Sequence, residues 1–316
     1  MGKHVSRTNP SGIDPSHGAP LCVIESRGFA DYGLIDSGGG RKLERFGVVT
    51  VDRPEPQALW SRRLPAERWA EASAVFSGED DEDAGKWRRN GAVPESWPIR
   101  IRDVTVLGRL SAFRHLGLFP EQLPHWEWML EGLGTIRQAA PERRPRLLNL
   151  FAYTGVASLV AARAGAEVVH LDASKKAIAW ARENQAVSGL EGAPIRWIVD
   201  DARKFVAREV RRERRYDVIL VDPPKFGRGP EGEVWDLFTH LPPLLKDCAT
   251  LLASGPSRLV LTAYAIRASS LSIGQLLAEV LAGRPGRLES GELAIREEGG
   301  GRALATSLFS RWCADA

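Results

Sequence analysis

The run "DPPKF", Asp222 to Phe226, places a carboxylate, two prolines, a lysine and an aromatic ring side by side. It follows Val218–Val221, an apolar segment that reads as a strand buried on both faces. Pro223 and Pro224 stop that strand, because proline cannot extend a ladder. Pro223 also pushes Asp222 toward extended backbone and fixes its own φ, so the Asp222 carboxylate and the Pro223 carbonyl are pre-aimed acceptors. Such acceptors suit a poor nucleophile like the exocyclic amine of a nucleobase, whose lone pair is delocalised into the ring. Binding its N–H protons makes the nitrogen more tetrahedral and more reactive. Phe226 can then stack on a base turned out of its helix, while Lys225 and Arg228 are candidate phosphate contacts. The plainer alternative is a punctuated strand end with Phe226 in the core.

The elements that must position this run alternate between strand and helix. Leu147 to Phe151 reads as a strand, Val156 to Arg163 as a helix, Glu167 to Leu171 as a strand and Lys175 to Ser188 as a helix. Ile195 to Val199 and Ala202 to Arg214 repeat the pair before Val218 to Val221. The helical stretch "VWDLFTHLPPLLKDCATLL" leads to a strand at Arg258 to Ala263, then a helix near Leu271 to Leu281. Two last strands, near Leu288 to Arg296 and Ala305 to Trp312, are joined at Gly299–Gly301 as an antiparallel hairpin. This order predicts a doubly wound, mostly parallel seven-stranded α/β sheet of Rossmann-like type.

Upstream, the texture is different. Residues 1–20 are rich in Gly, Pro, Ser and His and read as a disordered tail. Residues 21–116 give short strands and turns, including a hairpin around Ser37 to Gly40 and a strand pair in "SWPIRIRDVTVLGRLS", and so predict a small β-rich substrate-recognition domain. "SGEDDEDAGKWRRNG" reads as an acidic, then basic loop, with Lys86, Arg88 and Arg89 as further phosphate candidates. "PEQLPHWEWMLEGLGTIRQ" has helical spacing and opens the second domain, residues 117–316.

In an open α/β sheet, ligands sit beyond the carboxyl ends of the strands, where the strand order reverses. Three such ends carry polar groups. Gly155, in "LLNLFAYTG", opens a helix whose free N–H groups face an incoming ligand. Asp172 can accept both hydroxyls of a ribose. Asp200 or Asp201, in "VDDA", can take the amine of an adenine, although Asp201 is equally placed to cap the next helix. Together they describe a nucleoside site. The loop after the first of these strands, "FAYTGVAS", does not supply the G-x-G-x-x-G of a dinucleotide fold, and no P-loop is present.

At "NLFAYTG" and "DPPKF" the chain resembles class I S-adenosylmethionine-dependent methyltransferases, closest to the bacterial large-subunit rRNA methyltransferase branch. The resemblance runs from about Gly117 to the C-terminus. It implies S-adenosylmethionine as cofactor, with Phe151, Tyr153, Thr154 and Gly155 along its methionine end. Asp172 and Ser174 would hold the ribose, and Asp201 with Ala202 the adenine edge. "GLFPEQ" makes Gln122 a further contact; relatives often follow that glutamine with arginine, and here it is Leu123. The carboxylate many methyltransferases carry at the end of the first strand is replaced by Asn149. Asp222, Pro223, Pro224 and Phe226 form the expected catalytic set.

Methyl transfer from a sulfonium asks for a free lone pair aligned behind the methyl carbon, and little acid–base help. Methylation of cytosine carbon 5, the rival chemistry in that branch, needs a cysteine nucleophile. The stretch where relatives carry it reads "LVLTAYAIRAS", with Ala263 and Tyr264 and no cysteine. Transfer to a base nitrogen of RNA, rRNA in the first place, is therefore the expectation. A protein or small-molecule acceptor, or a fold that has lost catalysis, are the alternatives. So is a nicotinamide-dependent oxidoreductase, which the missing glycine fingerprint disfavours.

Composition fits this without demanding it. The 316 residues are 43% hydrophobic and 26% charged, with a net charge of +3, and the isoelectric point of about 8.8 permits a polyanionic partner. Arg208 to Arg215, "REVRRERR", is the densest basic run and reads first as a solvated helix face. The ten tryptophans read as core and domain packing rather than base stacking. Cys22, Cys248 and Cys313 form no metal or disulfide pattern, so no metal is expected and a reducing compartment fits. No apolar run reaches membrane-spanning length, and the Gly2/Ser6 match to a myristoylation pattern is isolated. The expected location is cytoplasmic, and homo-oligomer formation is left open.

Overall fold

The computed structural model describes residues 21–78 and 85–314. The tail of residues 1–20 with its Gly2/Ser6 pattern, and the acidic stretch 79–84, lie outside the described residues. The chain opens with strands β1 (Leu21–Ser26), β2 (Tyr32–Gly38), β3 (Arg41–Phe46) and β4 (Val49–Pro54). A short helix α1 (Ala66–Ala70), strands β5 (Ala74–Ser77) and β6 (Lys86–Arg89), and the hairpin β7 (Trp97–Ile101) and β8 (Val104–Gly108) follow. A 3-10 turn at Pro120–Gln122 runs into α2 (Leu123–Ala139).

Strand–helix alternation then begins with β9 (Arg146–Leu150), α3 (Val156–Arg163), β10 (Glu167–Asp172), α4 (Lys175–Val187), β11 (Ile195–Val199) and α5 (Ala202–Arg211). It continues through β12 (Val218–Val221), the short β13 (Phe226–Arg228) and β14 (Val234–Asp236), and α6 (Leu237–Leu251). The chain ends in β15 (Ser257–Ala263), α7 (Ser270–Val280), β16 (Arg287–Arg296) and β17 (Ala303–Ala314).

The main sheet has the order β1-β16-β17-β15-β12-β9-β10-β11. Its central strands are parallel, and β17 runs antiparallel to both β15 and β16. The doubly wound sheet with an antiparallel hairpin is thus as expected. One strand is added: β1, assigned by sequence to the N-terminal domain, pairs in parallel with β16 and makes the sheet eight-stranded. Glycine permits that approach, because a Cβ on Gly291 would fall 1.7 Å from the Cys22 carbonyl oxygen. The order reverses between β9 and β12, whose facing ends form the crevice of the fold.

β2 to β6 form a second, five-stranded sheet, and β7 pairs with β8 alone. Residues Lys86 to Arg89, read as loop, are its edge strand against β5. One apolar cluster joins this β-rich unit to α2 and α3, including Val51, Trp97, Trp126 and Leu159. A second cluster fills the other face of the main sheet under α5, α6 and α7. None of the tryptophans is exposed, in keeping with a packing role. Among the described residues no helix is long and apolar enough to cross a membrane.

Candidate active site

The loop after β9 is conformationally unusual. Phe151 (φ +56), Tyr153 (φ +50) and Gly155 (φ +87) all occupy the left-handed region within five residues. Left-handed backbone costs an ordinary residue ~1–2 kcal/mol, so neighbouring contacts must hold it. They are present. Ala152 N–H donates to the Leu171 carbonyl at 3.0 Å, Tyr153 N–H to Asp172 Oδ2 at 2.8 Å, and Asn184 Nδ2 to the Thr154 carbonyl at 2.9 Å. The Thr154 hydroxyl donates to the Gly117 carbonyl. Gly155 precedes α3 directly, and a Cβ there would meet the Ala181 methyl at 3.1 Å.

Below the loop, Asn149 donates its amide to Ser158 Oγ at 3.0 Å, and Ser158 meets His170 Nδ1 at 3.0 Å. Burial drives the His170 pKa down to about 3, which keeps this ring neutral. Asn149 thus satisfies with an amide a buried position where a carboxylate would be costly.

Asp172 ends β10. Its two oxygens accept from the Tyr153 and Ser174 N–H groups, both at 2.8 Å. Burial still raises its pKa above the usual carboxylate value, against those two bonds. Each oxygen keeps a lone pair for a further donor. Ser174 caps α4 by accepting from Ala177 N–H at 3.2 Å. Asp201 caps α5 by accepting from Lys204 N–H at 3.0 Å, with Arg203 at 3.4 Å, so the capping alternative describes its side chain. Ala202 is buried in the first turn of α5. These four residues stand beside the crevice, at the β10 and β11 ends, rather than in its wall.

The crevice itself is a cleft partly open to solvent. Its wall includes Phe151, Tyr153, Thr154 and Gly155 from the loop, Asn149 from β9, Asp222 from the β12 end, and Gln122 from the turn before α2. The structure therefore gathers residues from three separate motifs. Gln122 donates to Asp222 Oδ2 at 3.2 Å and to the Tyr264 hydroxyl at 3.0 Å. Asp222 Oδ1 is buried without a hydrogen-bond partner. Burial, and then the Glu121 charge, push the Asp222 pKa up to about 8, against the Gln122 bond. Burial likewise raises Glu121.

Sequence reasoning missed Glu121, His125, Thr262 and Tyr264. Tyr264 could have been found, since it lies where a cysteine was sought; the other three carry no signal beyond proximity to known motifs.

After Asp222, Pro223 is buried, whereas Pro224, Lys225 and Phe226 are exposed. β13 and β14 make a small antiparallel ribbon, with Phe226 opposite Asp236 and Arg228 opposite Val234. Trp235 Nε1 donates to the Pro224 carbonyl at 2.7 Å and Leu237 N–H to the Lys225 carbonyl at 3.0 Å, which anchors the ribbon. Phe226 is 61% exposed, with Val234 and Phe238 also exposed, so the plainer alternative of a core ring does not describe it. Lys225 Nζ lies 5.5 Å from its centroid. Within the basic run, Arg208 pairs with Asp200 and Arg212 with Glu209.

Among the described residues no cluster of His, Cys, Asp and Glu has the arrangement of a metal site. A cofactor with a ribose does fit: Asp172, at the β10 end beside the cleft, offers hydroxyl acceptors. S-adenosylmethionine supplies an electrophilic methyl group on a sulfonium, and Phe151, Tyr153, Gly155, Asp172 and Gln122 are the residues that would hold it.

Comparison with known proteins agrees. A sequence profile for S-adenosylmethionine-dependent methyltransferases matches residues 84–272. Ribosomal RNA large subunit methyltransferase K/L of Shewanella baltica (strain OS195) is 39% identical over 110 residues, 34% of this chain and 14% of that protein. The Methylococcus capsulatus protein of that name is 36% identical over 124 residues, 39% of this chain and 16% of its own length. The matches thus span a small part of these relatives. The crystal structure of an S-adenosylmethionine-dependent methyltransferase from Agrobacterium tumefaciens is 52% identical, covering 93% of this chain and 95% of that one with a TM-score of 0.87. A Streptococcus mutans structure, 14% identical over 90% of this chain and 76% of its own, shares the fold with a TM-score of 0.67. The chain belongs to the S-adenosylmethionine-dependent methyltransferase family.

Proposed function

We propose that the chain methylates an exocyclic nitrogen of a nucleobase in RNA, with ribosomal RNA as the substrate. The observation that carries this reading is the Asp222 carboxylate, fixed at the β12 end by Pro223 and Gln122, with Oδ1 buried and unpartnered. In its ionised form it accepts an N–H of the target amine, frees the nitrogen lone pair and fixes its direction. The Pro223 carbonyl is the second acceptor. Pro224 continues the rigid turn into the ribbon. Phe226, exposed beside Lys225, stacks on the base or its neighbour, and Lys225 and Arg228 contact phosphates.

Cytosine carbon-5 chemistry fits poorly, because Cys22, Cys248 and Cys313 are all absent from the cleft wall. Burial also raises the Cys248 thiol pKa far above the range of a useful nucleophile. The names of the two ribosomal RNA methyltransferases matched above support an RNA acceptor, and the β-rich unit beside α2 would help select it. A cytoplasmic location goes with that substrate.

Nucleoside mass spectrometry of ribosomal RNA from a strain lacking the gene tests the reading. One N-methylated base should fall, and return with the wild-type gene but not with Asp222→Ala. An unchanged nucleoside profile would instead point to a protein or small-molecule acceptor.

A further inference from the structure

His125 lines the cleft from α2, one helical turn after Gln122 and on the same face. It is 2% exposed, and neither ring nitrogen has a hydrogen-bond partner. Buried polar side chains are satisfied in the great majority of cases, so two orphan nitrogens on one ring that faces a cleft leave both free for a group bound there. The ring is fixed by packing, edge-on to Phe309 with centroids 5.1 Å apart. Burial, helped by the nearby Arg311 charge, drives its pKa down to about 3. The imidazole is therefore neutral at physiological pH, with one N–H donor and one lone-pair acceptor.

Position decides what it would bind. Asp172 marks the ribose side of the cleft, at the β10 end to one side of β9. His125 shares the cleft wall with Leu220 of β12 and with Val260 and Thr262 of β15, and its ring packs on Phe309 of β17, the strand next to β15. These lie on the opposite side of β9. An elongated cofactor with its ribose on Asp172 therefore extends its other end toward β12 and β15. In S-adenosylmethionine that end is an α-amino acid, which carries both a hydrogen-bond donor and an acceptor.

We propose that His125 binds the amino-acid end of the cofactor, hydrogen-bonding it in the part of the cleft that Gln122 and Thr262 also line. The proposal rests on the placement of the ribose at Asp172 and is independent of the identity of the methyl acceptor.

The test is calorimetric titration of the full chain, without RNA, using two ligands. S-adenosylhomocysteine has the amino-acid end, and 5′-methylthioadenosine lacks it. His125→Phe keeps the aromatic contact with Phe309 and removes both nitrogens. It should weaken S-adenosylhomocysteine by roughly 10-fold or more, as expected for a lost hydrogen bond in a buried site, and leave methylthioadenosine within about 2-fold. His125→Gln, which keeps a donor and an acceptor, should recover part of the loss. Equal weakening of both ligands would show a purely structural role and overturn the assignment. Unchanged binding of both would overturn it as well. Failure of methylthioadenosine to bind even the wild-type chain would instead contradict the ribose placement.

Discussion

Gln122 and Asp222, 100 residues apart in sequence, are joined by a 3.2 Å hydrogen bond from the Gln122 amide to Asp222 Oδ2. The same amide reaches the Tyr264 hydroxyl at 3.0 Å, so one side chain ties α2, β12 and the segment after β15 together. Gln122 occupies one carboxylate oxygen, and the other, without a partner, is the one the proposed function gives to the substrate. Gln122→Ala should therefore lower kcat by roughly 10-fold, by freeing the carboxylate to rotate. Steady-state kinetics with wild type alongside reads this directly.

Asp222 also sets a pH dependence. Its folded pKa of about 8 is raised above the usual carboxylate value, so the acceptor form gains population as pH rises. Plotted against pH, kcat/KM should climb and level off above about 8, and Asp222→Asn should be inactive and flat. Stability runs the other way. A raised folded pKa contributes stability that is fully present below the unfolded value near 3.8 and is lost as pH rises through about 8. Relative to Asp222→Asn, the wild-type chain should lose at most about 1.4 kcal/mol per pH unit across that window. Denaturant melts of both at pH 5, 7 and 9 would check it.

Asp172 holds the Tyr153 and Ser174 amides, and on the proposed cofactor placement it also accepts two ribose hydroxyls. Losing two hydrogen bonds of ~0.5–1.5 kcal/mol each should weaken S-adenosylhomocysteine roughly 10-fold or more in Asp172→Ala. Calorimetry gives the affinity. A drop in melting temperature should accompany it, because two loop amides lose their acceptor.

Gly155→Ala probes the loop geometry. At φ +87 an alanine pays ~1–2 kcal/mol, and its Cβ would press on the Ala181 methyl at 3.1 Å. The variant should melt at lower temperature and bind cofactor more weakly, whereas a change at the distant, open Gly283 should leave cofactor affinity alone.

Most of this architecture was legible because local pattern and global fold agree. Strand segments such as Val218–Val221 carry enough apolar surface to declare themselves, and a helix start such as Asp201–Ala202 carries its own cap. What escaped was non-local. β1 joins β16 across some 260 residues of intervening chain, through a backbone approach that depends on Gly291 rather than on any pattern in Leu21–Ser26. The ribbon β13–β14 is three residues per strand, too short for periodicity, so Phe226 could not be placed inside or outside. His125 reaches the cleft wall, and Tyr264 the Gln122 amide, only through tertiary packing. Each looks ordinary in sequence, one on an apolar helix face and the other after an apolar strand.

Phe226 is exposed outside the cleft wall, and under the proposed function it meets the substrate rather than the cofactor. Base stacking is worth ~1–3 kcal/mol, so Phe226→Ala should weaken RNA binding roughly 10-fold and leave S-adenosylhomocysteine affinity unchanged. Filter binding with and without the substitution separates the two.

The most direct measurement is transfer of a tritiated methyl group from S-adenosylmethionine to ribosomal RNA purified from a strain lacking the gene. Wild type should label a base nitrogen, and Asp222→Ala should lose at least ~100-fold in rate while still binding S-adenosylhomocysteine. Transfer that survives Asp222→Ala, or wild-type protein that binds the cofactor yet labels no RNA, would contradict the account.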